Sequence, residues 1–292
     1  MPTTPGSVGT RTTGPPLGLP LGTDSVLWRV ITEPATIVAS GPRALLLQVA
    51  HPLVAAGVEQ HSDYEDNPWR RLYRTLEVIS VMTFGTPARS ARMAELLRLR
   101  HAAVKGVSSD GQPYRALDTD LLLWVWATLL DTLVTTYERH VRPLRDQERA
   151  QVYEEWKLVG RASRIPASRL PESWSAFCDY VERIMRTDLR VTPTARTVAA
   201  QVVHPPLPWP VGAVAGALLA TLTAPTLPDD LRHELGLRPP LPDPLIEALA
   251  TASRIGSRLV PGRLRRLPLG VILQWSIRPP LPRPLLRLVP AA

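Results

Sequence analysis

Long apolar segments, in which hydrophobic residues recur every three or four positions, constrain this chain more than any other feature. One of them, LLLWVWATLLDTLVTTYERHV, follows Asp118 and Thr119, either of which can cap a helix, and it ends near Pro143. No long window alternates between apolar and polar residues as a strand would. About nine to eleven capped helical segments with short links account for the sequence. We therefore predict an all-α fold.

These segments are expected to form one large helical domain over residues 23–270. A chain of 292 residues can make one large domain or two ordinary ones, and a hydrophobic content of 45% is ample for a core. The prolines, 32 in all, concentrate near both ends. We expect residues 1–22 to be a disordered or draped leader and residues 271–292 to be a proline-rich tail.

Capping and breaking residues predict where the first helices begin and end. Asp24 is the expected cap of a helix that stops at Glu33-Pro34. Gly41-Pro42 then separates it from an apolar helix over residues 43–58. That helix should bend near His51-Pro52, because proline disfavours helix at the residue before it.

The same signals continue along the chain. Asn67 and Pro68 begin a helix that stops at Phe84, and a further helix over residues 88–104 ends with Gly106 as its stop signal. The most apolar segment, residues 211–224, is shorter than the roughly 20 residues that cross a membrane. We predict a buried core helix there, with its glycines allowing close packing.

The net charge of +8 comes almost entirely from arginine. No block of consecutive basic residues marks a nucleic-acid surface, so we predict no nucleic-acid partner. Arg258 and the segment Arg263-Leu264-Arg265-Arg266 come nearest to such a block and are suited to a peripheral contact with lipid headgroups. The N-terminal residues lack the basic start and apolar middle of a signal peptide, which predicts a cytoplasmic protein, with association at a membrane surface as the alternative.

Several common kinds of catalytic site are excluded. There is no Gly-rich phosphate loop, no Cys-x-x-Cys, no His-Glu-x-x-His and no Gly-x-Ser-x-Gly. The single cysteine, Cys178, rules out an intrachain disulfide and is predicted to be a buried structural thiol.

Polar groups recur on apolar helices between Arg43 and Gly106, which indicates a lined interior site. Arg71 and Thr75 lie four residues apart and share a helix face. His51, His61 and His101 lie in the same stretch. By spacing alone, His101 is more often a hydrogen-bonded core residue. The functional alternative is an axial ligand to haem iron, with Arg71 and Thr75 offered from an opposing helix.

The ordered strings GPRALLLQVAHPLVAAGVEQHS, RLYRT, HAAVKG and PYRALDTDLLLWV resemble the family of the latex-clearing protein (rubber oxygenase) and the fungal mpaB-type oxygenases. The resemblance runs from about residue 24 to about residue 268. It implies a globin-like helical core that holds haem b. It also implies an oxygenase that uses dioxygen on a small hydrophobic substrate, of isoprenoid or lipid type, with an unknown electron donor.

The resemblance also assigns roles to particular residues. His101 matches the iron ligand of the family's H-x-x-V-x-G motif, and Arg71 and Thr75 match the R-x-x-x-T motif beside the haem. Arg74 lies just before that threonine, and Lys105 falls where a basic residue is expected one turn after the ligand. These residues are the expected cofactor-binding set, with Arg71 and Thr75 also acting in catalysis. His51 and His61 match recurrent family positions without an assigned role.

One departure from the family concerns Trp126, which stands where members usually carry the histidine of W-V-H-A-T. If that histidine contacts haem or substrate, the pocket here is reshaped. Two other functions therefore stay open. One is a haem protein without oxygenase turnover, such as a sensor or a peroxidase-like protein. The other is a membrane-surface interaction protein that has lost the cofactor.

Overall fold

The computed structural model describes residues 21–22, 24–62 and 68–266, with the side chains of residues 68–73 excepted. The predicted leader and tail lie almost wholly outside these ranges. The chain folds as an all-α domain, as predicted. The described helices are α1 (Val26–Ile31), α2 (Pro34–Val49), α3 (Pro52–His61), α4 (Pro68–Phe84), α5 (Pro87–Ala103), α6 (Thr119–His140), α7 (Asp146–Ala162), α8 (Trp174–Thr187), α9 (Pro193–Val203), α10 (Val211–Thr223), α11 (Asp229–Glu234) and α12 (Asp243–Leu259).

The first two helices differ from the prediction in their boundaries. Ser25, rather than Asp24, caps α1, because its hydroxyl oxygen accepts the Trp28 N–H at 3.0 Å. Helix α2 starts at Pro34, where a missing N–H removes no helical hydrogen bond. It then continues through Pro42, so the predicted break at Gly41-Pro42 is wrong. Buried residues on both sides of Pro42 pack into the core, and this packing outweighs one lost hydrogen bond.

The predicted bend at His51-Pro52 is confirmed. His51 has extended backbone angles, as a residue before proline should, and α2 and α3 meet at 104°. Among the described helices, none alone is long and apolar enough to cross a membrane. The bent pair α2 and α3 reaches that length and apolarity only when taken together.

Helices α4 and α5 form a hairpin around Gly85. The Ser90 hydroxyl donates to the Met82 carbonyl at 2.7 Å, and this hydrogen bond holds the start of α5 against the end of α4. Helix α5 stops at Ala103, and the chain then forms a short antiparallel ribbon that was not predicted, β1 (Lys105–Val107) with β2 (Pro113–Arg115). Gly106 belongs to this ribbon and is not a helix stop. A Cβ at Gly106 would lie 2.4 Å from the Gln60 amide oxygen and 2.9 Å from the Tyr114 hydroxyl, so a larger residue would have to displace these side chains.

The core lies where α6 packs against α2 and α7. Trp126 and Trp156 each donate an indole N–H to the other's backbone carbonyl at 3.1 Å. Tyr153 and Phe177 pack edge-on to Trp126. A Cβ at Gly160 would lie 3.0 Å from the Trp126 indole nitrogen, which shows how closely α7 approaches α6. The two indole N–H groups are therefore satisfied within a close-packed interior.

Two further predictions need correction. Cys178 is exposed on α8 and is not a buried thiol.

The second correction concerns α10, which was predicted to be a buried core helix but buries only one face. A Cβ at Gly216 would overlap the Val203 carbonyl oxygen, which confirms the predicted close packing. Its other face stays open, with Val214 67% exposed. High apolarity alone does not reveal how many neighbours a helix has.

Candidate functional site

An apolar cavity of about 180 Å³ lies between α2, α4, α6 and α9. Aliphatic side chains form most of its wall, among them Ile37, Leu45, Leu76, Ile79, Leu129, Leu133, Val198, Val202 and Leu219. Hydroxyl and amide groups interrupt this wall at Ser40, Gln48, Thr75, Ser80, Thr132 and Gln201. A mostly apolar wall with a few polar groups is typical of a site for a small hydrophobic ligand.

Several of these polar groups are held by hydrogen bonds within the protein. The Ser80 hydroxyl donates to the Leu76 carbonyl at 2.6 Å, and the Ser40 hydroxyl lies 2.9 Å from that of Thr136. The Gln48 amide donates to the Thr128 hydroxyl at 3.2 Å. Internal bonding of this kind leaves the wall less polar than its composition suggests.

Behind the wall lies an ion pair between the buried Arg43 and the partly buried Asp131, which was not predicted from the sequence. The Arg43 side chain is 4% exposed and donates to Asp131 at 2.6 Å, to the Thr132 hydroxyl at 2.8 Å and to the Thr226 carbonyl at 2.9 Å. The sequence did carry a signal for this pair, because Arg43 interrupts an apolar stretch of α2 and Asp131 interrupts an apolar stretch of α6. Each charge is costly in a core unless the other pairs with it.

Thr75 joins this cavity to the α4–α5 hairpin. It lines the cavity, and it lies towards the end of the hairpin away from Gly85, which we call the open end (residues 71–75 and 97–101). Arg71 lies 14 residues before Gly85 and His101 lies 16 residues after it. At ~1.5 Å per residue, both are at similar heights on their helices. The hairpin thus brings the predicted site residues to one end.

Burial falls along the hairpin towards the open end. The last five residues of α4, 80–84, are buried, whereas Arg74 and Thr75 are exposed. His101 is half-buried, and it is not among the residues that line the cavity. The side chain of Arg71 lies outside the described residues. The structure therefore brings Thr75 to the cavity and leaves His101 outside its wall.

The prediction that Lys105 lies one helical turn after His101 is wrong. Helix α5 has ended, and Lys105 is exposed on β1, where its carbonyl lies 3.1 Å from a ring nitrogen of His61. A strand residue two positions beyond a helix is not one turn further along it. His61 is thus a surface residue that ties α3 to the ribbon.

The other two expectations concern His51 and Trp126. His51 is half-buried, its Nδ1 has no partner among the described residues, and burial lowers its pKa against the opposing effect of Asp188. It does not line the cavity. Trp126 is 3% exposed, lies in the α6–α7 core and is also absent from the cavity wall. The tryptophan at this position therefore contributes to the packing of the core and not to the cavity surface.

Comparison with known proteins identifies the family. Residues 28–285 match the family model described as "ER-bound oxygenase mpaB/B'/Rubber oxygenase, catalytic domain". The chain belongs to this family. The match spans all the described helices from α2 to α12, so it includes both the cavity and the hairpin. The protein is thus an oxygenase-family catalytic domain, as the sequence resemblance indicated.

Two mycobacterial proteins are similar to this member of the mpaB/rubber oxygenase family. One is an uncharacterised protein of Mycobacterium bovis and the other an uncharacterised protein of Mycobacterium tuberculosis. Each is 29% identical over 227 residues, which cover 75% of this chain and 88% of the relative. No solved structure was found to match the chain.

Proposed function

We propose that this protein is a haem b-dependent oxygenase that uses dioxygen to oxidise a small hydrophobic substrate of isoprenoid or lipid type. The observation that supports this proposal is the position of Thr75. It is the threonine of the R-x-x-x-T motif on which the sequence resemblance rests, and it also lines the apolar cavity. In this proposal, its hydroxyl would lie where the site for the cofactor meets the site for the substrate.

The residues at the open end have the chemistry that haem requires. Among the described residues, no group of three or more His, Cys, Asp or Glu side chains is placed to hold a metal ion. Haem needs only one axial nitrogen from the protein, and in this proposal His101 would offer it. Arg71 and Arg74 are permanent cations suited to the haem propionates, and we propose Lys105 as a further cation near them.

The cavity itself is better suited to the substrate than to the cofactor. Its volume of about 180 Å³ is below the ~300 Å³ at which pockets for drug-sized ligands begin. A haem is larger than this, so we assign the macrocycle to the open end and the cavity to the apolar substrate. When bound, the haem iron would supply the activation of dioxygen that no amino-acid side chain provides.

The protein would contribute positioning, polarity and exclusion of water. Leu76, Ile79 and Leu133 would contact an aliphatic chain and keep water out. The Thr75 hydroxyl would donate a hydrogen bond to an oxygen atom at the mouth of the cavity.

A visible absorption spectrum tests the cofactor. The protein is expressed with haem supplied, and wild type is compared with His101→Ala and with His61→Ala as a matched histidine control. We expect a strong Soret band in wild type and His61→Ala, and its loss or shift in His101→Ala. A wild-type protein that stays colourless with added haem would contradict the proposal, as would an unchanged spectrum of His101→Ala.

Oxygen uptake tests the role of Thr75. Thr75→Val keeps the shape and removes the hydroxyl, and Ser80→Ala removes a hydroxyl from the same wall as the control. With an apolar substrate that wild type turns over, we expect Thr75→Val to retain the Soret band and to lose about 10²-fold or more in rate. Equal rates for both variants would remove Thr75 from the mechanism.

A further inference from the structure

A second cavity, of about 350 Å³, lies where α1, the end of α6 and the end of α12 meet. It shares no lining residue with the apolar cavity. Among the described residues, six of its lining side chains are arginines: Arg29, Arg142, Arg258, Arg263, Arg265 and Arg266. We call this group the arginine cavity.

Two carboxylates neutralise part of this charge. Glu148 is bonded to Arg142 through both guanidinium Nη atoms at 2.8 Å, and it lies 3.4 Å from Arg29. Glu33 pairs with Arg265 at 3.1 Å. Hydrogen bonds from Arg142 hold the pKa of Glu148 well below its usual range, so this carboxylate is fully ionised and already engaged. Six lining cations and two carboxylates leave an excess of four positive charges.

The remaining donors have no protein partner in the part of the chain that the structure describes. Arg258, Arg263 and Arg266 make no ion pair there. The buried Nε and Nη1 atoms of Arg265, like the Nε of Arg29, lack a hydrogen-bond partner. The terminal residues 1–20 and 267–292 contain no Asp or Glu.

A cluster of like charges with unused buried donors is unfavourable unless an anion binds between them. Guanidinium groups match phosphate through paired N–H···O bonds. An excess of four charges favours a ligand that carries more than one negative charge, and a phosphate monoester carries about −1.5 to −2 near pH 7. We propose that the arginine cavity binds a ligand through its phosphate group.

The phosphate group could belong either to an anionic phospholipid or to a soluble phosphate compound, and the residues around the cavity are compatible with both. Leu259 is 77% exposed and Leu264 is 59% exposed, and both are next to lining arginines in the sequence. Exposed leucines beside arginines suit the headgroup of an anionic phospholipid, whose acyl region would contact them. A soluble phosphate compound would use the arginines alone.

Binding is measured with two probes, inorganic pyrophosphate in solution and phosphatidylcholine vesicles with or without phosphatidic acid. The test variant is Arg263→Gln/Arg266→Gln. The control is Arg115→Gln/Arg238→Gln, which removes the same charge from exposed positions elsewhere. We expect wild type and control to bind a phosphate probe and the test variant to bind at least about tenfold more weakly.

The pattern of binding identifies the source. Pyrophosphate binding indicates a soluble ligand. Binding only to vesicles that contain phosphatidic acid, weakened by Leu259→Ser/Leu264→Ser, indicates a lipid headgroup. Absence of binding to either probe, or equal weakening by test and control variants, overturns the proposal. Circular dichroism checks folding, and Arg258→Gln, at an exposed position, serves as the test if the double variant does not fold. None of these readouts depends on haem.

Discussion

The α6 core and the open end of the α4–α5 hairpin are both built from helices, but they differ in where their polar side chains lie. The polar groups of the core described above are buried and hydrogen-bonded, whereas two polar side chains of the open end are exposed. In the core, Trp126 and Trp156 satisfy each other, and Arg43 has three hydrogen-bond acceptors. At the open end, Arg74 and Thr75 are exposed. Stability therefore resides in the first region, while the proposed chemistry resides in the second, where side chains remain accessible to a ligand.

The largest effect that would sharpen this comparison is expected from Arg43→Ala. Removing the arginine leaves Asp131 without its partner beside an apolar wall, which should lower the free energy of unfolding by about 3–5 kcal/mol. Urea denaturation at neutral pH measures it. A loss below about 1 kcal/mol would mean that the ion pair does not hold α2 to α6.

The next effect depends on pH and concerns His140, at the end of α6. Burial lowers the pKa of His140 from 6.5 to about 4. Between these values the unfolded chain binds a proton that the folded chain does not, so stability falls as the pH falls through this window. The contribution is about 3 kcal/mol at most.

Urea denaturation at pH 7 and at pH 4 measures this loss in wild type and in His140→Gln, which cannot take up the proton. Wild type should lose more stability than the variant, because acidic groups common to both contribute equally. An identical pH dependence in the two proteins would exclude His140 as the cause.

Trp126→His introduces the histidine that the sequence resemblance led us to expect at this position, and it should have a smaller effect on stability. It removes edge-on packing against Tyr153 and Phe177, so we expect a loss of about 2 kcal/mol, less than the ~3–5 kcal/mol of full truncation. Thermal unfolding measures the loss. Trp126 does not line the cavity, so substrate binding should hardly change. A large change in substrate affinity without a change in stability would break the distinction between core and site.

The smallest effect is expected at the open end. Thr75→Val changes an exposed residue and should alter the free energy of unfolding by no more than about 0.5 kcal/mol. The same urea experiment as for Arg43→Ala measures it. A destabilisation comparable to that of Arg43→Ala would show that the open end is part of the core after all.

Much of the fold followed from local signals. The bend at His51-Pro52, the stop at Phe84 and the long apolar α6 were predicted because proline, glycine and apolar periodicity act over a few residues. The break at Pro42 was wrongly predicted, because tertiary packing overrode a local preference. The ribbon that follows α5 was missed, since the pairing of β1 with β2 is not signalled by residue type at short spacing.

The candidate site divides in the same way. The R-x-x-x-T motif and His101 could be selected from the sequence because their order and spacing are local properties. The pairing of Arg43 with Asp131 joins residues 88 positions apart, so it depends on how α2 packs on α6. The arginine cavity unites Arg29 with residues near 265, and sequence reading found only the second of these parts.

The sequence by itself determined the helical class, the family and the motif residues, because each is carried by residue types at short spacing. Only the tertiary structure decided that Thr75 faces an apolar cavity, that Trp126 is a core residue and that six arginines meet at one place. The physical reason is that burial and charge density depend on which distant segments come together. Those contacts arise from packing across the whole chain.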